Sequence, residues 1–176
     1  MARRLRNVGL REGDAVASNY EAICEENRKR YGTDIGRIGP MLLADRYDDR
    51  THFIFELLQN AEDALGKRGA WSGPRRVTFS LAPDMLSLSH FGRPFDEADV
   101  RGVCGIAEST KDQFSIGRFG IGFKSVYTFT DRPEIHSGEE DFTVENYVQP
   151  KRVIRTERAD DETQIVLPLK PEDATA

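Results

Sequence analysis

A carboxylate and an amide lie one helical turn apart in the segment ELLQNAEDA, residues 56–64. At 100° per residue, Glu56, Asn60 and Asp63 fall within an arc of about 60° on the predicted helix. Such an arc is often only a solvated polar face. However, Asn is a poor residue for a helix interior, and Lys, Gln or Glu would serve an exposed face better. A carboxylate beside an amide oxygen suits the activation of water next to a hard metal ion.

A glycine-rich run, GRFGIGFKS at residues 117–125, is the second stretch that could do chemistry. Its glycines follow the spacing GxxGxG, which differs from the dinucleotide-binding GxGxxG. It is not a P-loop either, because Phe123 separates the last glycine from Lys124. Glycines let backbone N–H groups approach an anion closely, and a following helix adds its positive end. The run therefore indicates an anion-binding loop or a tight structural turn.

Four helices are predicted, over residues 19–31, 51–67, 97–103 and about 119–128. Thr51 is the expected N-cap of the second helix, and Asp96 that of the third, with Asp99 in its first turn. The second helix has the clearest apolar stripe, which consists of Ile54, Leu57, Leu58, Ala61, Ala64 and Leu65.

Alternating apolar residues predict a hairpin with one face on the core, formed by strands at 77–81 and 86–90. Three later strands are expected at 134–137, 142–148 and 153–155, and a last one at 164–169. This order predicts an α+β domain with a mixed, mostly antiparallel sheet and helices on one face.

Composition restricts the class of function. The formal net charge of −5 with 31% charged residues offers no basic surface for nucleic acid. No apolar run approaches the roughly 20 residues that span a bilayer, and no apolar segment follows the basic start, so neither a membrane span nor a signal peptide is expected. Cys24 and Cys104 form no CxxC pair, which favours thiols in a reducing, cytoplasmic setting. The three histidines lack metal-ligand spacing.

Four motifs in order, ELLQNAEDA, FGRPF, GRFGIGFKS and ETQIVL, resemble those of the Bergerat-fold, or GHKL, ATPases. Two longer segments are similar to the sacsin and No-Vein-like branch of that family, namely DRYDDRTHFIFELLQNAEDA and FDEADVRGVCGIAESTK. The resemblance implies a two-layer α/β sandwich and an ATP-binding domain over residues 19–170. Residues 1–18 are then expected to be a flexible N-terminal segment, and 171–176 a linker within a longer protein.

The resemblance also implies roles for single residues. Glu56 would be the general base that deprotonates the attacking water, and Asn60 would bind the Mg²⁺ that bridges the phosphates. Lys124 would add charge at the phosphates or lie on the exposed side of its helix, and both alternatives stay open. The resemblance implies that further residues contact the nucleotide or its phosphates or border a lid: Asp63, Ala64, Gly92, Phe95, Ser109, Thr110, Lys111, Gly117, Phe119, Gly120, Ile121, Gly122, Phe123 and Thr163.

One position departs from the family pattern. Where these ATPases have an Asp that accepts a hydrogen bond from the adenine amino group, this chain has His90. The alternation of its strand points His90 inward. A neutral imidazole can accept one such bond but lacks the charge of a carboxylate. His90 is thus either a reader of adenine or a satisfied core histidine.

The expected function is Mg²⁺-dependent binding of ATP and ADP with slow hydrolysis. Binding would order residues 108–115 and drive a lid or homodimer switch. The alternative is a nucleotide-sensing or catalytically inert interaction module that retains the fold. A histidine kinase is disfavoured because the helix at 19–31 has no histidine. Expected partners are an adenine nucleotide and further domains of the longer chain. Those regions would supply the Lys or Arg that contacts the γ-phosphate.

Overall fold

The computed structural model describes residues 16–36, 51–106 and 122–170. The expected linker at 171–176 and most of the expected N-terminal segment lie outside these ranges. The described elements are α1 (Tyr20–Tyr31), α2 (His52–Lys67), β1 (Val77–Leu81), β2 (Met85–His90), α3 (Glu97–Cys104), a 3₁₀-helix (Gly122–Thr128), β3 (Glu134–Ser137), β4 (Glu140–Glu145), β5 (Gln149–Arg152) and β6 (Thr163–Pro168).

The strands form one sheet in the order β1-β2-β6-β3-β4-β5. Every described pair is antiparallel, so the sheet is not mixed, and the predicted α+β two-layer class is confirmed. The last strand inserts between β2 and β3. This insertion brings His90, Thr163 and Ser137, one from each strand, into a row at one end of the sheet.

The buried face of α2 is rotated relative to the predicted stripe. Phe53, Leu57, Ala61 and Ala64 are buried, whereas two members of the predicted stripe, Ile54 and Leu58, are each 36% exposed. On a helical wheel, the polar arc of Glu56, Asn60 and Asp63 then lies about 90° from the buried face. It therefore flanks the core and is half-buried. Thr51 is the N-cap residue as predicted, but its side chain makes no capping hydrogen bond.

The predicted hairpin is confirmed because β1 and β2 pair antiparallel, but the expected burial of one face holds only for β2. Leu86, Leu88 and His90 are buried, but Phe79 is 36% exposed and Leu81 is 76% exposed. The physical reason is position: β1 is the edge strand of the sheet, and α2 contacts the neighbouring strand β2.

The cap of α3 is confirmed. Asp96 accepts from the Asp99 backbone N–H, and the Asp99 carboxylate accepts from the Asp96 N–H, each at 3.0 Å. Arg93 adds two hydrogen bonds to the Asp99 carboxylate, at 2.7 and 2.9 Å. This capping box holds the FGRPF motif rigidly against the start of α3.

The late strands differ from the prediction because a tight turn divides the segment expected to be continuous at 142–148. Asn146 and Tyr147 both adopt positive φ, 48° and 69°. Two successive left-handed residues reverse the chain within the three-residue connection 146–148, where the Val148 N–H donates to the Glu145 carbonyl at 3.2 Å. β4 therefore ends at Glu145, and β5 occupies Gln149–Arg152 rather than 153–155. Within the described residues, no helix has the length and apolar character needed to cross a membrane.

The last residues of the glycine-rich run begin a 3₁₀-helix that ends at Thr128 as predicted, and the predicted start near residue 119 lies outside the described residues. The Ser125 hydroxyl donates to the Gly122 carbonyl at 2.6 Å, and the Thr128 hydroxyl donates to the Ser125 carbonyl at 2.7 Å. These local bonds favour the tighter i→i+3 helix. Phe123 and Val126 from this helix are fully buried in the core.

Lys124 occupies neither of the two positions predicted for it. The residue is only 3% exposed, and its ammonium group donates to the backbone carbonyls of Val103 and Tyr147. The side chain thus connects the 3₁₀-helix to the end of α3 and to the β4–β5 turn. Burial lowers the pKa of Lys124 from 10.5 to about 8.

Replacing Lys124 with Met should change how stability depends on pH. Between pH 8 and 10.5 the unfolded chain retains the Lys124 proton that the folded chain releases. The free energy of unfolding of the wild type should therefore rise relative to Lys124→Met across this window, by on the order of 3 kcal/mol. Urea unfolding at several pH values measures the difference.

The control for this experiment is Lys151→Met, at an exposed position of β5. Burial raises the pKa of the Cys104 thiol from 9.0 to about 12, which makes all three proteins less stable as pH rises above 9. Because the Lys124 charge itself lowers the Cys104 pKa, the effect of Lys124 is isolated between pH 8 and 9, before the thiol of the unfolded chain ionises. Parallel pH profiles for wild type and Lys124→Met would contradict the placement of a buried amine here.

Candidate functional site

The two chemically suggestive stretches meet in the folded chain. A Cβ on Gly122 would lie 2.0 Å from Oε2 of Glu56 and 2.9 Å from its Cδ. The carboxylate of α2 therefore lies directly against the last glycine of the run GRFGIGFKS. The Glu56 side chain is 26% exposed, so it is accessible to a ligand while held by the protein.

His52 orients the Glu56 carboxylate, a role that was not predicted from the sequence. Its Nε2 lies 3.0 Å from Oε1 of Glu56, one helical turn earlier on α2. Because a carboxylate only accepts, Nε2 carries the proton in this bond. The bond occupies Oε1 and leaves Oε2, the oxygen that faces Gly122, for a ligand. The i,i+4 spacing of the two residues was the signal available in the sequence.

Asn60 lies one turn further along the same face of α2. Its Nδ2 is buried and has no hydrogen-bond partner among the residues that the structure describes. A buried amide without a partner costs free energy unless a ligand or water satisfies it. Asp63 is half-buried on the same side of the helix. The arc predicted from helical periodicity thus presents polar atoms to one region beside the core.

The FGRPF motif packs against α2 at Ala64. A Cβ on Gly92 would lie 2.5 Å from the Ala64 Cβ and 2.7 Å from its carbonyl carbon. The Arg93 backbone N–H donates to the Ala64 carbonyl at 2.9 Å. Arg68 donates to the carbonyls of Phe91 and Gly92 at 3.0 and 2.8 Å. Gly92 is therefore required for the close approach of this turn to the helix.

The end of the sheet contributes a row of buried polar side chains. His90 is 1% exposed, and its Nδ1 accepts from the Gly92 backbone N–H at 3.0 Å. Burial, with a contribution from the nearby Arg68 charge, lowers the pKa of His90 to about 4, so the imidazole is neutral. The hydroxyls of Thr163 and Ser137 lie 2.5 Å apart. Ser137 also accepts from the Phe95 N–H at 3.0 Å, a role the sequence analysis did not identify.

The other predicted contacts divide into two groups. Phe95 and Phe123 are buried in the hydrophobic core cluster. The buried Lys124 ammonium group is likewise engaged by backbone carbonyls. The remaining predicted residues lie outside the described ranges: Ser109, Thr110, Lys111, Gly117, Phe119, Gly120 and Ile121.

The structure places the polar side chains of α2 next to Gly122 on one side and next to the 90–92 turn at the end of the sheet on the other. Glu56 offers a carboxylate oxygen, Asn60 an amide, and the 90–92 turn a neutral imidazole. An amide oxygen is a ligand type that Mg²⁺ accepts, and this ion normally completes its shell with phosphates and water. The donor set present therefore fits a magnesium ion that arrives with a phosphorylated ligand.

Comparison with known proteins agrees with the motif resemblance. Residues 87–168 match the Sacsin domain. The chain is 37% identical over 105 residues to Protein NO VEIN of Arabidopsis thaliana, covering 58% of this chain and 4% of that protein. It is 30% identical over 161 residues to Sacsin of Homo sapiens, covering 74% and 3% respectively.

A bacterial chaperone is also similar. Chaperone protein HtpG of Aliarcobacter butzleri is 28% identical over 144 residues, which cover 64% of this chain and 23% of that protein. The chain thus spans a small part of the length of the relatives it matches. It contains a sacsin-like, chaperone-like domain that is related to the GHKL ATPases.

Proposed function

We propose that this domain binds Mg·ATP and Mg·ADP and hydrolyses ATP slowly, with Glu56 as the general base. The observation that carries the proposal is the contact between the Glu56 carboxylate and Gly122. A group able to deprotonate water thus lies against the last glycine of a run whose residue types suit phosphate binding. Relatedness to the GHKL ATPases supports the same conclusion.

Glu56 is well arranged for taking a proton from water. The 3.0 Å bond from His52 holds Oε1, and Oε2 then faces Gly122 rather than turning freely in solvent. A water molecule between Oε2 and a phosphate at that run would lie within reach of both groups. Fixing the base in this way lowers the entropy lost on reaching the reactive geometry.

Asn60 is the proposed protein ligand of Mg²⁺. Coordination would use the Asn60 side-chain oxygen, and its buried Nδ2, which has no partner among the described residues, would then donate to an oxygen of the bound phosphates or of water. A bound Mg²⁺ would neutralise charge on the phosphates. Asn60 would then hold the ion, and Glu56 would orient the attacking water.

Nucleotide binding would act on the rest of the protein through residues 108–115, which join α3 to the glycine-rich run. We propose that this segment closes over the nucleotide and drives a lid or homodimer switch. Turnover would need a Lys or Arg from another part of the protein to contact the γ-phosphate, which makes hydrolysis by residues 1–176 alone slow or absent.

Nucleotide binding itself is tested by thermal unfolding and calorimetric titration with Mg·ADP. Ligand that binds only the folded state raises the melting temperature, by an amount equivalent to about 2.7 kcal/mol at one hundred times its Kd. Asn60→Ala should weaken Mg·ADP binding by about tenfold or more, and should reduce the difference between titrations with and without Mg²⁺. No thermal shift and no heat of binding in the wild type would refute the proposed function.

Glu56→Gln should lower ATP turnover by about 100-fold or more, because the amide cannot accept the proton of water. Affinity for Mg·ADP should stay within a few-fold of the wild type. The matched control is Glu62→Gln on the exposed side of α2, which should leave both quantities unchanged. Turnover is measured in the protein that carries this domain at its native length, and an undiminished rate would rule out Glu56 as the base.

Gly122→Ala tests the contact directly. The added methyl would occupy the position of the Glu56 carboxylate, which can rotate away because it ends a flexible side chain. Stability should therefore fall by only about 1 kcal/mol or less, whereas turnover should fall by about tenfold or more. In the Glu56→Gln background the same change should have little further effect on turnover. Independent, multiplicative losses would show that Gly122 does not act through Glu56.

A further inference from the structure

A cavity between α1 and the strand β5 lies apart from the residues assigned to the nucleotide. Its volume is about 620 Å³, and we call it the α1–β5 groove. One wall is the start of α1 with Cys24 and Arg28, and the other wall is Pro150, Lys151 and Arg152. The volume is within the range of about 300–1,000 Å³ that is typical of ligand sites. None of these residues has a role in the proposed nucleotide site.

The groove carries positive charge that the protein does not neutralise. Arg28 and Arg152 form no ion pair and no side-chain hydrogen bond with the residues that the structure describes. Acidic residues outnumber basic ones in the chain, 30 to 25, so this is not caused by a shortage of carboxylates. Five other described arginines pair with carboxylates: Arg68, Arg93, Arg101, Arg155 and Arg158.

The positive charges are spread along the groove. The Arg152 guanidinium lies 4.9 Å from the centroid of the Tyr20 ring, at the first residue of α1. Arg28 follows just over two turns later, a rise of about 12 Å along the helix. Between them, burial raises the pKa of the Cys24 thiol, and the charges of Arg28 and Lys151 act against this shift, so both are close to the sulfur. A ligand with several anionic groups fits this spacing better than a single anion.

The β5 backbone does not offer a free edge for strand addition inside the groove. β5 is the last strand of the described sheet, but Pro150 has no N–H to donate. Its carbonyl already accepts from the Cys24 thiol at 3.1 Å. Recognition in this groove therefore depends on side chains, and the arginines are the strongest donors available.

We infer that the α1–β5 groove binds an acidic peptide segment in an extended conformation, with carboxylates at Arg152 and at Arg28. An extended chain rises about 3.3 Å per residue, so about four residues cover the distance between the two positions on α1. Each guanidinium can donate two parallel hydrogen bonds to a carboxylate. Lys151 contributes less, because it pairs with Glu145. Glu21 also lines the groove and repels such a ligand.

Fluorescence anisotropy with a labelled peptide of about eight Glu residues tests this inference on the full chain. Arg28→Ala and Arg152→Ala should each weaken binding by about threefold to fivefold, and Glu21→Gln should strengthen it by a similar factor. Added salt should weaken binding to the wild type. The matched control is Arg132→Ala, which removes the same charge at an exposed position outside the groove and should leave affinity unchanged.

A peptide with Gln in place of every Glu should not bind. Absence of binding by the Glu peptide, or equal binding of both peptides, would overturn the inference. An equal loss in Arg132→Ala would overturn it too, because it would show attraction by overall charge alone. Inorganic phosphate is the competing probe: if it displaces the peptide where chloride of equal ionic strength does not, the groove is a phosphate site. Mg·ADP binding is measured separately and does not depend on any of these outcomes.

Discussion

The candidate site depends on the packing of α2 against the 3₁₀-helix that begins at Gly122, the last glycine of the glycine-rich run. Phe53 and Leu57 of α2 share one core cluster with Phe123 and Val126 of the 3₁₀-helix. Burial of such side chains is worth about 1.5–3 kcal/mol each. This apolar contact holds two segments that are far apart in sequence at a fixed separation. Because residue 122 is glycine, the Glu56 carboxylate fits into the space that a Cβ would fill.

The opposite side of the site depends on a second close approach. The turn at Gly92 lies against the backbone of Ala64, and the Arg93 N–H bond to the Ala64 carbonyl fixes its register. Insertion of β6 beside β2 then aligns His90 with Thr163. α2 is thus held at both ends of its polar face, by the 3₁₀-helix near Glu56 and by this turn near Ala64. A rigid helix between two fixed contacts is a suitable support for chemistry.

The region that matches the Sacsin domain does not include the proposed catalytic helix α2. The match covers residues 87–168, which include β2, α3 and the later strands. Glu56 and Asn60 precede it on α2, so their place in the site rests on the packing described above. Lys124, inside the matched region, has a supporting role that joins the 3₁₀-helix to α3 and the β4–β5 turn. Anchoring these elements maintains the position of Gly122.

Local sequence patterns determined much of the secondary structure and the grouping of polar residues on α2. Helical periodicity alone placed Glu56 and Asn60 on one arc, the Asp96 capping box was readable from residue types, and strand alternation turned His90 inward. These properties follow from interactions within a few residues. The strand boundary at Asn146 and Tyr147 was not readable, since neither residue is a glycine and both adopt positive φ.

Tertiary structure alone decided which atoms of the predicted residues remain available. Phe123 became core, and Lys124 was buried with backbone carbonyls as partners. Glu56 was paired with Gly122, and Nδ1 of His90 was occupied by the Gly92 N–H. Each outcome depends on long-range packing that sets burial and hydrogen-bond partners, and a one-dimensional pattern carries no information about those distances.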